Sequence, residues 1–418
     1  MFKPHHRQFG AAFLFDFAMV CGLTASPFYI FNVLEGGAGM SGVITGLQWA
    51  LYAAASIVSA RYVGRLSNGL VMGIIGGLGF AIVFPLGVAL PNPYFYVALT
   101  TIGMVFPALY WPAMQSWVGA EPDPATRTRR LALYNVSWTM GLTCAPFATW
   151  VLSPIDYRLP FLATALAAGG AVALVAGLPH ESRMTAADAD DTRTANIGHT
   201  KRSEACLYSA WFSLVLGSTL FNAVTAVFSF RMEELADAGA LCLVKAGDGT
   251  PLTAAPVVYF SVLAIIMNAT RAGTSLIMGH THAWQHRFWV LLMFQAAAAA
   301  AFWVLSFTTS LVVMTLCCAV VGTAAGVCFF ASQAYSVANP VKKHQRVSIH
   351  EGMVGLGSLL GAVGFGLLAE WRGTPWPFAN TPVFVALGLI LEAALLRMGY
   401  RIVRQNILAR KPAQDAAG

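Results

Sequence analysis

The chain has 418 residues, of which 57% are hydrophobic and only 10% charged, with a formal net charge of +7. Soluble domains run near half apolar and about one quarter charged. This balance, with a mean hydropathy of +0.65, excludes a water-soluble enzyme and a disordered chain. A membrane helix needs about 20 apolar residues, and the apolar content suffices for about twelve of them.

The first apolar segment follows MFKPHHR and imitates a secretory signal. It continues to Leu34, carries Asp16 and has no small-residue cleavage site, so it is expected to stay as the first span. Further spans are expected at 40–63, 69–90, 93–118, 131–152, 159–179, 207–230, 256–279, 287–307, 311–338, 346–369 and 377–399, after a first at 9–34. Leu66 to Ala120 and Phe288 to Val341 contain no Asp, Glu, Lys or Arg. Each is too long for one crossing and breaks near its middle, at Pro91-Asn92-Pro93 and Thr308-Thr309-Ser310, giving a helical hairpin. Continuous rather than alternating apolar runs exclude a transmembrane β-barrel. The expected fold is therefore an all-α polytopic membrane protein.

The longest polar connection, 180–206, is rich in Asp, Thr, Ala and Arg and reads as a flexible cytoplasmic linker. It divides the chain into a six-helix bundle at 1–179 and a second at 207–418 that ends in a basic tail. With the N-terminus cytoplasmic, 20 of the 25 Lys and Arg residues fall on the inner side. Only Arg158, Arg231, Lys245 and Arg372 fall outside, and Arg271 lies within a span. Basic residues concentrate on the cytoplasmic side of membrane proteins, so both termini are expected there, in a bacterial-type inner membrane. The positive charge is thus an orientation signal and implies no nucleic-acid partner. Arg397, Arg401 and Arg404 share a helix face suited to anionic lipid headgroups. Of seven cysteines, five fall inside spans, Cys206 opens one and Cys242 sits in a loop, which is no disulfide framework.

The two halves resemble each other. Trp111-Pro-Ala113-Met-Gln115 in span four matches Phe329-Phe-Ala331-Ser-Gln333 in span ten. Arg130-x4-Asn135-x5-Gly141 in span five matches Arg346-x4-Glu351-x5-Gly357 in span eleven. The near-constant offset implies a duplicated unit with parallel repeats.

At this point the chain resembles the major facilitator superfamily over nearly its whole length. The loop after span two, Gly64-Arg65-Leu66-Ser67-Asn68-Gly69, is similar to the family's motif there, with Asn68 in place of its usual Asp and no basic tail. Gly141 and Pro146 match part of the span-five motif of antiporters. The resemblance implies twelve helices in two bundles around a central cavity, alternating access by rocking, and a cavity lined by spans 1, 4, 7 and 10.

Ionisable groups inside a bilayer are costly and mark function by default. Asp16, Arg271 and Glu351 fall at similar depth, with His350 beside the last. One reading makes them a static ion pair, Asp16–Arg271 or Glu351–Arg271; the other makes them a proton-coupling or substrate-charge site. His350 reads as a relay or as a histidine at the pore mouth. Span seven carries a polar stripe of Ser218, Asn222, Thr225 and Ser229, and span eight carries Asn268, Arg271 and Ser275. Tyr110, Trp111 and Gln115 in span four and Phe329 and Gln333 in span ten combine aromatic faces with amides, which suits a small organic molecule. Substrate contacts are thus expected from Tyr110, Trp111, Gln115, Asn222, Thr225, Asn268, Phe329 and Gln333. Glu392, near the inner surface, is expected to snorkel toward Arg397. His280, His282 and His286 fall in a short turn without carboxylate support and are not read as a metal site.

No nucleotide-binding loop and no hydrolase or protease motif is present, so no catalytic residue, metal or cofactor is expected. The expected function is a monomeric secondary active transporter of a small organic solute, with coupling to a proton or a sodium ion, or simple facilitation, left open. The alternative is a non-transporting receptor or assembly partner of the same fold.

Overall fold

A computed structural model describes residues 4–36, 38–62, 69–121, 123–153, 155–178, 197–240, 256–339 and 342–408. The first half comprises α1 (Pro4–Asn32), α2 (Ala38–Tyr62), α3 (Gly69–Leu86), α4 (Pro93–Gly103), α5 (Val105–Val118), α6 (Pro124–Leu152) and α7 (Leu159–Ala176). The second comprises α8 (Ile197–Asp237), α9 (Pro256–His280), α10 (Phe288–Leu305), α11 (Leu311–Val337), α12 (Lys343–Leu359), α13 (Phe365–Arg372) and α14 (Pro375–Leu408). Among the described residues, ten segments are long and apolar enough to cross a membrane. The short apolar α3 and the more polar α6 complete the twelve spans. Most of the loop motif at 64–69, most of the linker, and Cys242 lie outside the described residues.

Two spans are interrupted. Span four divides at Met104 into α4 and α5. Its start is set by Asn92, whose side chain accepts the Tyr94 and Phe95 N–H groups at 2.9 and 3.1 Å ahead of Pro93. Span eleven runs from α12 through a π turn at Leu360–Gly364 into α13; such turns add a residue and rotate the face that follows. α6 starts at Pro124, seven residues before the expected span, because Asp123 caps it by accepting the Thr126 N–H at 2.7 Å. The hydrogen bonds from Thr126 hold the Asp123 carboxyl below the usual carboxylate range.

The expected linker is corrected at its end, since α8 already begins at Ile197. Glu204 pairs with Arg346 at 2.9 Å and accepts the Asn339 amide at 2.6 Å, anchoring a stretch too poor in apolar residues to read as packed.

Packing in the first half repeats in the second. α1 packs on α6 and α7, and α3 on α5 and α7. Correspondingly, α8 packs on α12 and α14, and α10 on α11 and α14. The bundles meet where α12 lies along α2 and across α5, and where α9 lies along α6. Both contacts extend to the end that carries Arg127 to Arg130 and Lys343 to Arg346, called the basic end below. There Gly119 meets Val337 and Gly279 meets Ala132, so helices of opposite bundles touch. Apolar side chains such as Ile82, Leu166, Val312 and Ile390 remain exposed on the outer faces, as contact with lipid requires.

The duplicated glycines explain the closest crossings. A Cβ at Gly141 would lie against the Phe13 carbonyl oxygen of α1 and 2.9 Å from the Phe17 nitrogen. A Cβ at Gly357 would lie 2.6 Å from the Val215 carbonyl oxygen of α8 and 3.3 Å from the Thr219 nitrogen. Both glycines let backbones touch, the common device of helix packing in lipid. Gly141→Ala and Gly357→Ala are each expected to cost about 1–3 kcal/mol, the usual penalty of overpacking. Gly169→Ala, with nothing within 4 Å of the new methyl, serves as the control. Thermal melting in detergent checks this, and equal melting of all three variants would contradict it.

Candidate functional site

At the seam between the bundles, four spans exchange hydrogen bonds in a crossed pattern. Gln115 on α5 donates through Nε2 to Glu351 on α12. Asn135 on α6 donates through Nδ2 to Gln333 on α11 at 2.9 Å. Gln115 and Gln333 are repeat equivalents, as are Asn135 and Glu351. Each span-four-type glutamine thus meets the span-five-type residue of the opposite half. Tyr52 on α2 donates a further bond to Glu351, and all five side chains are buried.

Asn135 also accepts the Trp138 indole N–H at 2.9 Å, which fixes that ring. The Arg271 guanidinium lies over it at 4.7 Å, over Phe329 at 4.9 Å and over Phe221 at 5.0 Å. A desolvated cation–π contact is worth about 2 kcal/mol. Three of them together exceed the roughly 2.5–3.5 kcal/mol that an arginine costs on membrane-insertion scales. The rings therefore hold the charge in place without a carboxylate. No ion pair includes Arg271 among the described residues, so neither pair of the static reading forms here. Arg271 still interacts electrostatically with Asp16 and Glu351, so the three form one charge cluster. Its Nε and the Asp16 Oδ2 are both buried without a hydrogen-bond partner.

The remaining candidates take distinct places. His350 is fully buried rather than at a pore mouth; it bonds Ser332 at 2.8 Å and lies 3.9 Å from Glu351. The basic residue one turn before it, Arg346, is itself buried and paired with Glu204. Tyr110 belongs to the first bundle's core, stacked on Phe15 at 3.7 Å and donating to the Ala11 carbonyl at 3.2 Å. Trp111 packs edge-on against the same rings. Asn222 bonds Ser358 at 3.1 Å, tying α8 to α12 within one half, and accepts from Thr225 at 3.0 Å. Asn268, one turn before Arg271, donates to its own helix and leaves Oδ1 unpartnered. The Ser229 side chain lies outside the described residues. His280 bonds Leu276, and His286 stacks on Tyr335. Among the described residues, no three His, Cys, Asp or Glu side chains gather as metal ligands.

Tyr52, Trp138, Phe221 and Ser332 escaped the sequence reading. Trp138 follows Asn135 by three residues, a helical spacing that puts both on one face. Tyr52, Phe221 and Ser332 are brought in by tertiary packing and have no such signal.

Residues 9–347 match the Major Facilitator Superfamily. The chain belongs to that family. Its fold is similar to the crystal structure of the human organic anion transporter MFSD10 (TETRAN), with TM-score 0.70, 14% identity, and coverage of 94% of this chain and 100% of that one. It is also similar to FucP in the outward conformation, with TM-score 0.59, 14% identity, and coverage of 95% and 99%. A single-substitution form of the E. coli fucose:proton symporter FucP gives 0.57, again at 14% identity, with coverage of 95% and 98%. No curated protein matches the chain in sequence. Membership of a transporter family fits a polar cluster placed where two bundles meet.

If the crossed hydrogen bonds hold the basic end shut, Gln115→Leu with Gln333→Leu should open it. A neutral hydrogen bond contributes about 1 kcal/mol and one to a charged group about 1.5–3 kcal/mol. The open fraction is therefore expected to rise about tenfold or more. Spin labels at Arg129 and Lys342 on a cysteine-free chain would read this as a longer distance. An unchanged distance distribution would show that other contacts keep the end closed.

Proposed function

We propose that this protein is a secondary active transporter that moves a small organic anion by alternating access, driven by protons. The observation that carries the reading is Arg271, a cation at the seam of the bundles, held by three rings and unpaired with any acid among the described residues. A guanidinium has five donors in a planar fork suited to a carboxylate, and the surrounding rings suit an apolar body attached to it. The organic-anion transporter among the structural relatives and the fucose:proton symporter are consistent with anion and proton coupling respectively. Trp138, Phe221 and Phe329 border the guanidinium, and with Asn268, Gln115 and Gln333 they serve as solute contacts.

Asp16 and Glu351 supply the coupling. When both carry protons, Arg271 is the only charge in the cluster and attracts an anion. When they lose protons, their carboxylates compete with the anion for Arg271. Glu351 also receives Tyr52 and Gln115 from the opposite bundle, and a carboxylate accepts more strongly than a carboxylic acid. Its protonation thus loosens the basic-end seam as it prepares the site.

The rocking bodies are residues 1–179 and, with the start of α8 at Ile197, 197–418, joined by the segment between them. The basic end faces the cytoplasm of a bacterial-type inner membrane, following the distribution of Lys and Arg. Cys242, outside the described residues, should then react with an impermeant thiol reagent in intact cells; labelling only after permeabilisation would reverse the orientation.

Uptake into proteoliposomes under an inward proton gradient tests the function. A carboxylate solute should accumulate where its amide does not, and Arg271→Gln should abolish binding. Glu351→Gln or Asp16→Asn should abolish proton-driven accumulation while sparing exchange at equilibrium. Normal accumulation in both acid variants would remove proton coupling from these residues.

A further inference from the structure

Several cations at the basic end have a protein acceptor. Arg7 donates to the Gly177 carbonyl, Arg130 pairs with Glu121 and Arg346 with Glu204. Five exposed cations on two neighbouring helices differ: Lys201 and Arg202 at the foot of α8, and Arg397, Arg401 and Arg404 at the foot of α14. None of the five enters an ion pair or a hydrogen bond among the described residues. Glu392, the only acid on α14, was expected to snorkel toward Arg397. It is instead fully buried and accepts the Gln295 amide at 2.8 Å, because the rotation of α14 turns it inward.

Packing brings the two feet together. α8 starts and α14 stops at the basic end, and Gly399 lies so close to Ala205 that a Cβ would meet its carbonyl oxygen. One residue later, Tyr400 sits beside Cys206 and interacts electrostatically with Arg202. Arg404 follows Tyr400 by one helical turn on the same side, and Arg397 and Arg401 continue around α14 away from α8. Like charges one turn apart on a helix repel, so Arg397, Arg401 and Arg404 weaken this foot unless an anion lies among them.

Above the arginines the same face of α14 is apolar and exposed. Ile390 precedes Arg397 by two turns, and Val383 precedes Ile390 by two more. Cations at the foot with an exposed apolar stripe above them match the order of headgroup and tails in a phospholipid. A free phosphate would use the cations and leave the stripe without a part.

We propose that the feet of α8 and α14 form a binding site for one anionic phospholipid of the leaflet at the basic end. Its phosphate lies between Arg202 and Arg404, with the Tyr400 hydroxyl as a neutral donor, and its acyl chains follow Ile390 and Val383. Lys201, Arg397 and Arg401 add attraction from either side. The lipid bridges two helices of the second bundle and offsets the repulsion among the arginines. The site stands independently of the transport reading.

Native mass spectrometry of the purified full chain in detergent, titrated with phosphatidylglycerol or with phosphatidylcholine of the same chains, tests it. One phosphatidylglycerol should bind at least tenfold more tightly than phosphatidylcholine and should raise the melting temperature, as a ligand of the folded state does. Each cation near an anionic headgroup contributes roughly fivefold in affinity, so Arg202→Gln with Arg404→Gln should weaken that binding about 25-fold. Arg129→Gln with Lys342→Gln removes two exposed cations elsewhere at the basic end and should leave it unchanged. Should the first pair not fold, as judged by melting in phosphatidylcholine, Lys201→Gln with Arg401→Gln carries the test. Equal binding of the two lipids, or an equal effect of the site and control pairs, would overturn the proposal. Displacement of the lipid by millimolar glycerol phosphate would show a free-phosphate site and overturn it. A tenfold gain in binding on changing Asp188, Asp190 and Asp191 together to Asn would show that acids of this chain hold the cations, and would overturn it too. Failure of solute uptake with lipid binding intact would count against the transport reading alone.

Discussion

Two crossed side-chain hydrogen bonds, Gln115 to Glu351 and Asn135 to Gln333, join the bundles beside a third from Tyr52 to Glu351. Inside a bilayer the hydrophobic effect hardly distinguishes one helix neighbour from another, so polar contacts and close packing decide which helices stay together. Crossing makes this pair selective. Each glutamine reaches the opposite repeat, so neither bond survives unless both bundles sit in register. Because the partners are an acid on one side and an amide on the other, only one of the two bonds can be altered by a proton. The duplication supplies the frame, and its single asymmetry supplies a place for control.

The charge cluster depends on that frame. Asn135 holds Gln333 with its amide nitrogen and Trp138 with its carbonyl oxygen, so the bond that joins the bundles also orients the ring under Arg271. Phe221 and Phe329 come from the second bundle and Trp138 from the first. Rocking that separates the bundles would take one wall of the cage away from the other two. Cation–π contacts place the guanidinium without consuming its hydrogen-bond donors, whereas an ion pair would have used them. A buried arginine held in this way keeps its capacity for a ligand.

The second bundle holds its polar groups differently from the first. Around Glu392, one amide gives one bond to the carboxylate and one to Ser213. Both bundles also pack rings in their interiors, Phe15, Tyr110 and Trp111 in the first and Phe228, Phe302 and Phe378 in the second.

Composition and run length alone determine the twelve spans, because hydrocarbon thickness sets helix length and tolerates few charges. The repeat was legible too, since Gln115, Asn135 and Gly141 recur at a nearly constant offset as Gln333, Glu351 and Gly357. Sequence also marked Asp16, Arg271 and Glu351, because a charge in an apolar run stands out without any structure. What those charges touch was decided only by tertiary packing. The crossed bonds link residues 198 and 236 positions apart, and no periodicity within a helix encodes that. The sequence left Arg271 open between a static ion pair and a functional charge, and rings from two bundles converge on it. Glu392 differs from a snorkelling residue only by the rotation of α14 about its axis, which neighbouring helices set. A sequence determines which residues enter the membrane; the packing of helices decides which of them meet.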